Sequence, residues 1–154
     1  MKKKVYLLSL ILLIIDVVTK LIVKNNMELY QSVAIIPNFF NLTYVINTGA
    51  AFSILENQKI FLILLGVIVL IFLMYSLNKE AISNFKMVYY SLLLSGIVGN
   101  LIDRIVYNGV VDFLDFKIFK FDAPIFNLAD TFICIGVFLI IIRSIKGELY
   151  ANRG

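Results

Sequence analysis

Four long apolar runs constrain the fold of this chain more than any other feature of its sequence. A helix needs about 20 residues to cross a hydrocarbon core about 30 Å thick. Four runs approach that length, and they lie at about residues 5–23, 60–77, 87–107 and 127–142. Because 61% of the 154 residues are hydrophobic, a water-soluble domain would lack polar residues for its surface. The sequence therefore predicts one integral membrane domain over residues 1–154, with a transmembrane helix in each run.

Lys and Arg residues beside the runs predict how the helices cross the membrane. With the N-terminus in the cytoplasm, that side carries eight of them, namely Lys2, Lys3, Lys4, Lys79, Lys86, Arg143, Lys146 and Arg153. The other side carries four, namely Lys24, Lys59, Lys117 and Lys120. Since cytoplasmic flanks are enriched in Lys and Arg, both termini are predicted to be cytoplasmic and residues 24–59 and 108–126 to lie outside. The net charge of +4 is then explained by the Lys and Arg residues that flank the membrane helices, and no nucleic-acid partner is expected.

The N-terminus has one alternative interpretation. The stretch "MKKK" followed by "VYLLSLILLII" is typical of a cleavable secretory signal peptide. No small-x-small cleavage site follows, and Asp16 and Lys20 lie where that site would be. We therefore expect the first run to be retained as a membrane helix.

The first outer segment is predicted to form a small sheet. Its sequence "SVAIIPNFFNLTYVINTGAAFSI" is rich in β-branched and aromatic residues, with turn signals at Pro37-Asn38 and Asn47-Thr48-Gly49. Two or three short strands on the membrane surface are expected. The predicted fold class is a membrane all-α protein, with four transmembrane helices and a small extracytoplasmic β-sheet between helices 1 and 2.

The residues that are missing narrow the possible chemistry. The chain has no His and a single cysteine, Cys134. Nucleophile arrangements that pair Ser or Cys with His are excluded, and neither a metal nor another cofactor is expected. Hydrolytic chemistry would have to use carboxylates, Lys, Tyr or hydroxyl groups.

Polar residues interrupt the first and third runs toward their predicted outer ends. An ionisable residue inside a membrane costs roughly 2.5 to 3.5 kcal/mol on insertion scales, so it needs a partner or water. Asp16 and Lys20 are four residues apart and can pair with each other. Gly96, Asn100 and Arg104 follow at the same spacing along one stripe of the third helix. A glycine on such a stripe permits close helix approach, so Gly96 by itself indicates packing.

The ends of the third and fourth helices carry further polar groups. Arg104 is expected to need a carboxylate partner, with Asp103, Asp112 and Asp130 as candidates. Asn127 could be the N-cap of the fourth helix, and Asp130 a favourable acid in its first turn. That interpretation does not account for the aspartates that precede them.

Four outer carboxylates, those of Asp112, Asp115, Asp122 and Asp130, offer chemistry that needs neither His nor Cys. Two carboxylates in a poorly hydrated site cannot both ionise easily, so one keeps a proton while the other acts as a base. Such a pair can activate water for direct attack on a peptide bond. The residues alone do not choose the pair, although Asp115 and Asp122, near two lysines, are typical of solvated loop charges.

Three functional classes stay open from the residues alone. A peptidase would use two of these carboxylates, whereas a transporter or channel subunit would use intramembrane charges as an ion pathway. In a non-enzymatic scaffold, Asp112 and Asp130 would only bind Arg104 and helix ends. The second run carries no charge and the other runs concentrate theirs toward the outer half, which disfavours a transporter.

Five short stretches together resemble one known family. They are "DVVTK" at 16–20, "NTGAAFS" at 47–53, "GNLIDR" at 99–104, "GVVDF" at 109–113 and "FNLAD" at 126–130. In this order they resemble bacterial lipoprotein signal peptidase, also called signal peptidase II, and they extend over most of the chain.

The resemblance implies a monomeric aspartic endopeptidase of the bacterial cytoplasmic membrane, with its active site near the outer face and a β-cradle over the substrate. It would act on lipid-modified prolipoproteins among membrane lipids, cleaving the signal peptide just before a diacylglyceryl-modified cysteine. The matching positions imply Asp112 and Asp130 as the catalytic pair. Residues expected to line or support the site are Asp16, Lys20, Asn47, Gly96, Asn100, Arg104 and Asn127.

Overall fold

The computed structural model of the protein describes residues 1–50, 54–118 and 121–151. Residues 51–53 of the "NTGAAFS" stretch lie outside the described residues, as do Lys120 and Arg153 of the charge count. The elements are, in chain order, α1 (Lys2–Asn26), β1 (Ser32–Ile36), β2 (Phe40–Asn47), α2 (Lys59–Lys79), α3 (Asn84–Tyr107), β3 (Val110–Ile118), β4 (Phe121–Asp122) and α4 (Leu128–Ala151).

The four helices α1 to α4 are each long and apolar enough to cross a membrane. They coincide with the four predicted runs, which confirms the predicted fold class. Large apolar side chains point away from the protein, and Ile68 and Phe72 of α2 are 63% and 66% exposed. A surface this apolar is suited to hydrocarbon rather than to water.

Helix α3 lies at the centre of the bundle and packs against α1, α2 and α4. Its buried residues include Tyr90, Leu93 and Leu94, which form a core with Val5 of α1 and Leu77 of α2. Asn100 and Asp103 in its outer half are buried as well, and Arg104 is half-buried. Helix α3 therefore carries both the main apolar core and the polar groups that lie next to the sheet.

Within the part of the chain that the structure describes, the sheet has four antiparallel strands in the order β1-β2-β3-β4. It extends further than predicted, because β3 and β4 come from the second outer segment, which the sequence indicated only as a connection. Strand β3 pairs with β2 so that Val110 lies opposite Asn47 and Asp112 opposite Val45. Asp112 and Asp115 both belong to β3, and its pairing with β2 joins the two outer segments.

Candidate active site

Asp112 and Asp130 reach one site from different elements. Asp112 projects from β3 and is 1% exposed, while Asp130 lies in the first turn of α4. Asn127 connects them, since its side-chain Nδ2 donates to Asp112 Oδ1 at 2.6 Å and its backbone N–H donates to Asp130 Oδ2 at 3.3 Å. One residue therefore holds both carboxylates in the same place.

The start of α4 explains how Asn127 can do this. Its side-chain Oδ1 accepts from the backbone N–H of Asp130 at 2.9 Å, which is the ordinary bond of an N-cap residue. The Asp130 carboxylate accepts from the Asn127 N–H in return, and this reciprocal arrangement is a capping box. The predicted N-cap is confirmed, and the cap leaves Nδ2 free to reach Asp112.

Two further asparagines donate to the carboxylates. Asn47, at the end of β2, donates from Nδ2 to Asp112 Oδ2 at 3.0 Å. Asn100, on α3, donates from Nδ2 to Asp130 Oδ1 at 2.7 Å. Asn127 Nδ2 also lies 3.3 Å from Asn100 Oδ1. Strand β2, helix α3 and helix α4 thus each contribute one amide to the site.

The turn between α3 and β3 aligns the strand that carries Asp112. Asn108 ends the helix in the left-handed conformation, with φ of 61°. At Gly109 a Cβ would lie 2.6 Å from Ile46 Cγ2 and 2.9 Å from the Asn47 carbonyl oxygen. Because β2 and β3 approach this closely, only glycine fits at position 109 without a shift of the strands.

Arg104 is held by carbonyl groups rather than by a carboxylate. Its guanidinium donates to the Asn100 carbonyl at 3.2 Å and to the Gly49 carbonyl at 2.9 Å. No carboxylate of the described residues forms an ion pair with it within 4.0 Å, so the prediction of a carboxylate partner is wrong. The last turn of a helix presents carbonyls that attract a cation, and the Asn100 carbonyl is one of them.

Asp16 and Lys20 lie beneath the site. The predicted pair is confirmed, with Lys20 Nζ 2.8 Å from Asp16 Oδ2 and both side chains buried. Lys20 also lies 3.0 Å from Asp103 Oδ2 and donates to Asn100 Oδ1 at 3.3 Å. Asp103 was considered from the sequence only as a partner for Arg104. Its spacing of three from Asn100 was the signal that it shares the buried face of α3.

Gly96 lies where α3 meets the first turn of α4. A Cβ at this position would be 2.4 Å from the Ala129 carbonyl oxygen and 2.7 Å from Ile133 Cγ1. The glycine therefore permits the close approach of α4.

The other two outer aspartates lie in the sheet. Asp115 is half-buried on β3 and accepts from Thr43 Oγ1 at 2.7 Å and Asn41 Nδ2 at 3.3 Å. It is thus a cross-strand acceptor, and its interpretation as a solvated loop charge is wrong. Asp122 belongs to β4, and its side chain lies outside the described part of the structure.

A cavity of about 470 Å³ opens onto the two carboxylates. Its polar end is formed by Asn47, Arg104, Asp112 and Asp130. Its wall is mostly apolar and includes Val110, Ile125, Phe126, Ile133, Cys134 and Ile135. The sequence did not identify this wall, because its residues are ordinary core types that only the fold brings together. The cavity can hold an apolar segment whose polar backbone faces the carboxylates.

Burial changes the acidity of Asp112. Desolvation is the main cause that raises its pKa to about 7, and the nearby charge of Asp130 adds to the rise. The hydrogen bonds from Asn47 and Asn127 oppose the rise, because they favour the charged form. Asp112 can therefore carry a proton near neutral pH. Among the residues described, no group of three or more carboxylate or cysteine side chains could hold a metal ion.

Comparisons with known proteins agree on one family. The family model described as signal peptidase (SPase) II matches residues 8–146. A lipoprotein signal peptidase of Staphylococcus haemolyticus (strain JCSC1435) is 47% identical over 152 residues, which cover 95% of this chain and 96% of the relative. One of Staphylococcus aureus (strain JH9) is 45% identical over 141 residues, covering 91% and 86%.

A solved structure has the same fold. It is described as a bacterial membrane enzyme determined by the in meso method at 2.3 Å resolution. The TM-score is 0.88 at 42% identity, with 94% of this chain and 88% of that chain covered. The protein is thus a multi-pass membrane protein with the fold of a bacterial membrane enzyme, and it belongs to the signal peptidase II family of lipoprotein signal peptidases.

Proposed function

We propose that this protein is an aspartic endopeptidase that removes the signal peptide from diacylglyceryl-modified prolipoproteins, cleaving just before the lipidated cysteine. The observation that carries the proposal is the junction at Asn127, which donates to both Asp112 and Asp130. A buried Asp112 with a pKa of about 7, held beside a half-buried Asp130, forms a pair that can share a proton.

The proposed reaction begins with Asp112 protonated and Asp130 ionised. Asp130 takes a proton from a water molecule whose oxygen attacks the scissile carbonyl carbon, while Asp112 gives its proton to the carbonyl oxygen. The resulting diol collapses when Asp130 protonates the leaving nitrogen and Asp112 recovers a proton from one hydroxyl. The C–N bond breaks, one water is consumed, and both carboxyl groups return to their initial states.

The supporting residues have distinct tasks in this reaction. Asn47 and Asn127 donate to Asp112 and fix the direction of its carboxyl group. Asn100 does the same for Asp130. Arg104 lines the cavity and connects the outer end of α3 to the Gly49 carbonyl. Because the carboxyl groups are oriented before substrate arrives, no reorganisation is required during attack.

The cavity supports the proposed class of substrate. A signal peptide is an apolar helix in the bilayer, and the wall formed by Ile125, Phe126 and Ile133 suits its last residues. The acyl chains of the modified cysteine would stay among membrane lipids while the peptide bond enters the polar end. We place both termini in the cytoplasm and the site at the outer face of the bacterial cytoplasmic membrane, in a chain that acts as a monomer with residues 1–154 as one domain.

Reconstitution tests this proposal. The purified protein in lipid or detergent is given a diacylglyceryl-modified prolipoprotein, and the products are identified by mass spectrometry. We expect cleavage directly before the modified cysteine, lost in Asp112→Asn and in Asp130→Asn. Asp115→Asn is the matched control, because it removes a carboxylate from the same strand without touching the cavity, and it should stay within about twofold of the parent. Full activity in either dyad variant would reject the mechanism, and an inactive parent would favour a transporter or scaffold.

A further inference from the structure

Two buried aspartates outside the dyad each accept a hydrogen bond from the residue directly before a dyad member. Asp16 Oδ1 accepts the backbone N–H of Ala129 at 2.9 Å, next to Asp130. Asp103 Oδ2 accepts the backbone N–H of Val111 at 3.0 Å, next to Asp112. The backbone position of each dyad residue is therefore fixed by a carboxylate from another element.

Lys20 joins these two aspartates into one cluster. Its ammonium lies 2.8 Å from Asp16 and 3.0 Å from Asp103, and the three side chains are almost fully buried. The same ammonium donates to Asn100 Oδ1 at 3.3 Å, and Asn100 holds the Asp130 carboxylate. Lys20 is thus connected through hydrogen bonds to both Asp130 and Asp112.

The arrangement of these three side chains includes more contacts than are needed for their charges to neutralise each other. Asp16 and Lys20 could neutralise each other on α1 alone, as a pair four residues apart. Instead, the cluster includes a second carboxylate, that of Asp103. Asp16 and Asp103 each accept the backbone N–H of the residue that precedes Asp130 or Asp112, respectively. Buried charges are costly unless they are paired and hydrogen-bonded, so the three side chains have little freedom to move.

We propose that the cluster of Asp16, Lys20 and Asp103 sets the separation of Asp112 and Asp130, with Asp16 and Asp103 as positioning residues. The inference rests on the proposed function, because a separation matters only if the two carboxylates act together. It assigns a role to Asp103, and it gives Asp16 and Lys20 a task other than contact with substrate. None of the three lines the cavity.

The test compares Asn and Ala at the two aspartates. The cluster formally holds two carboxylates and one ammonium, so Asp103→Asn or Asp16→Asn leaves a neutral pair and an amide oxygen that can still accept. Asp103→Ala removes the acceptor as well. We expect kcat per folded molecule to fall about 10- to 100-fold in Asp103→Ala, with KM within about twofold, because a small misplacement of a reacting group costs rate rather than binding. Asp103→Asn should recover part of the loss.

A control separates positioning from general stability. Ser91 is fully buried and its hydroxyl donates to the Val5 carbonyl across the same α1–α3 interface, far from the dyad in sequence. Ser91→Ala should lower the melting temperature and leave kcat per folded molecule unchanged. All variants are assayed well below their melting temperatures. If Asp103→Ala does not fold, kcat per folded molecule of Asp103→Asn and of Asp16→Asn is compared with that of the parent and of Ser91→Ala.

The outcomes distinguish this inference from the proposed function. Unchanged kcat per folded molecule in every Asp16 and Asp103 variant, with Asp112→Asn and Asp130→Asn inactive, overturns the inference and keeps the proposed function. A fully active Asp112→Asn overturns both. A fall in kcat that Asn partly rescues at position 103, and that Ser91→Ala does not reproduce, supports the positioning role.

Discussion

The side-chain amide of Asn127 donates to Asp112 at 2.6 Å while its carbonyl oxygen caps the helix that carries Asp130. Asn127 is therefore both the N-cap of α4 and the residue that connects the two carboxylates. The N-cap role of Asn127 and its proposed role at the site therefore use the same side chain, and a substitution must separate the two.

Asn127→Ser separates capping from the link to Asp112. Serine keeps an oxygen that can cap α4 but has no amide to donate to Asp112. We expect a melting temperature close to that of the parent and a fall in kcat of about 100-fold, since loss of one oriented donor can cost that much. Asn127→Ala should lose the same activity and, in addition, about 1 kcal/mol of stability. A Ser variant with parental kcat would show that the link is not used.

The activity should depend on the proton of Asp112. Its pKa is raised to about 7, so the neutral form required for carbonyl protonation dominates below that pH and is lost above it. We expect kcat/KM, which reports the titrating groups of the free enzyme, to fall about tenfold per pH unit on the alkaline side, with a midpoint near 7. The Asp115→Asn control should have the same midpoint. A rate that stays constant from about pH 6 to 9 would contradict this role.

The same pKa predicts a pH dependence of stability. The pKa of Asp112 is raised from its ordinary value of 3.8 to about 7 in the folded protein, so between these pH values the folded state holds a proton that the unfolded state lacks. The contribution of Asp112 to stability is therefore greatest at low pH and decreases as the pH rises from about 4 to 7, by about 4 kcal/mol in total. Asp112→Asn should lack this part of the slope. Thermal unfolding in detergent across that range measures it, and parallel slopes would argue against the raised pKa.

Gly99 leaves room for the cluster. A Cβ at Gly99 would lie 2.4 Å from Asp16 Oδ2, the oxygen that faces Lys20. We expect Gly99→Ala to displace Asp16 and lower kcat about tenfold, as a small misplacement can. Gly66→Ala is the matched control, because its Cβ would meet only the end of the Leu101 side chain at 2.8 Å. Its stability should fall by about 1 kcal/mol or more through overpacking, with kcat unchanged. Equal kcat in both variants would contradict the account.

The four helices could be predicted from the sequence because length and apolarity alone decide whether a segment spans a membrane. Strand β3 could not be predicted in this way, because it buries Asp112 at a position where a core strand normally has an apolar residue. The motifs pointed to Asp112 and Asp130. The proposed role of Asp103 and the apolar cavity wall depend on contacts between elements that are distant in sequence, such as the contact of Lys20 with Asp103. The spacing of residues within one helix or strand does not indicate such contacts.

The central claim is that Asp112 and Asp130 together activate water, and single-turnover cleavage tests it most directly. With enzyme in excess over a diacylglyceryl-modified prolipoprotein, the first-order rate constant reports the chemical step without product release. We predict a fall of at least about 1,000-fold in Asp112→Asn and in Asp130→Asn, and a change within twofold in Asp115→Asn. Either dyad variant cleaving at the parental rate, while folded, would contradict the account.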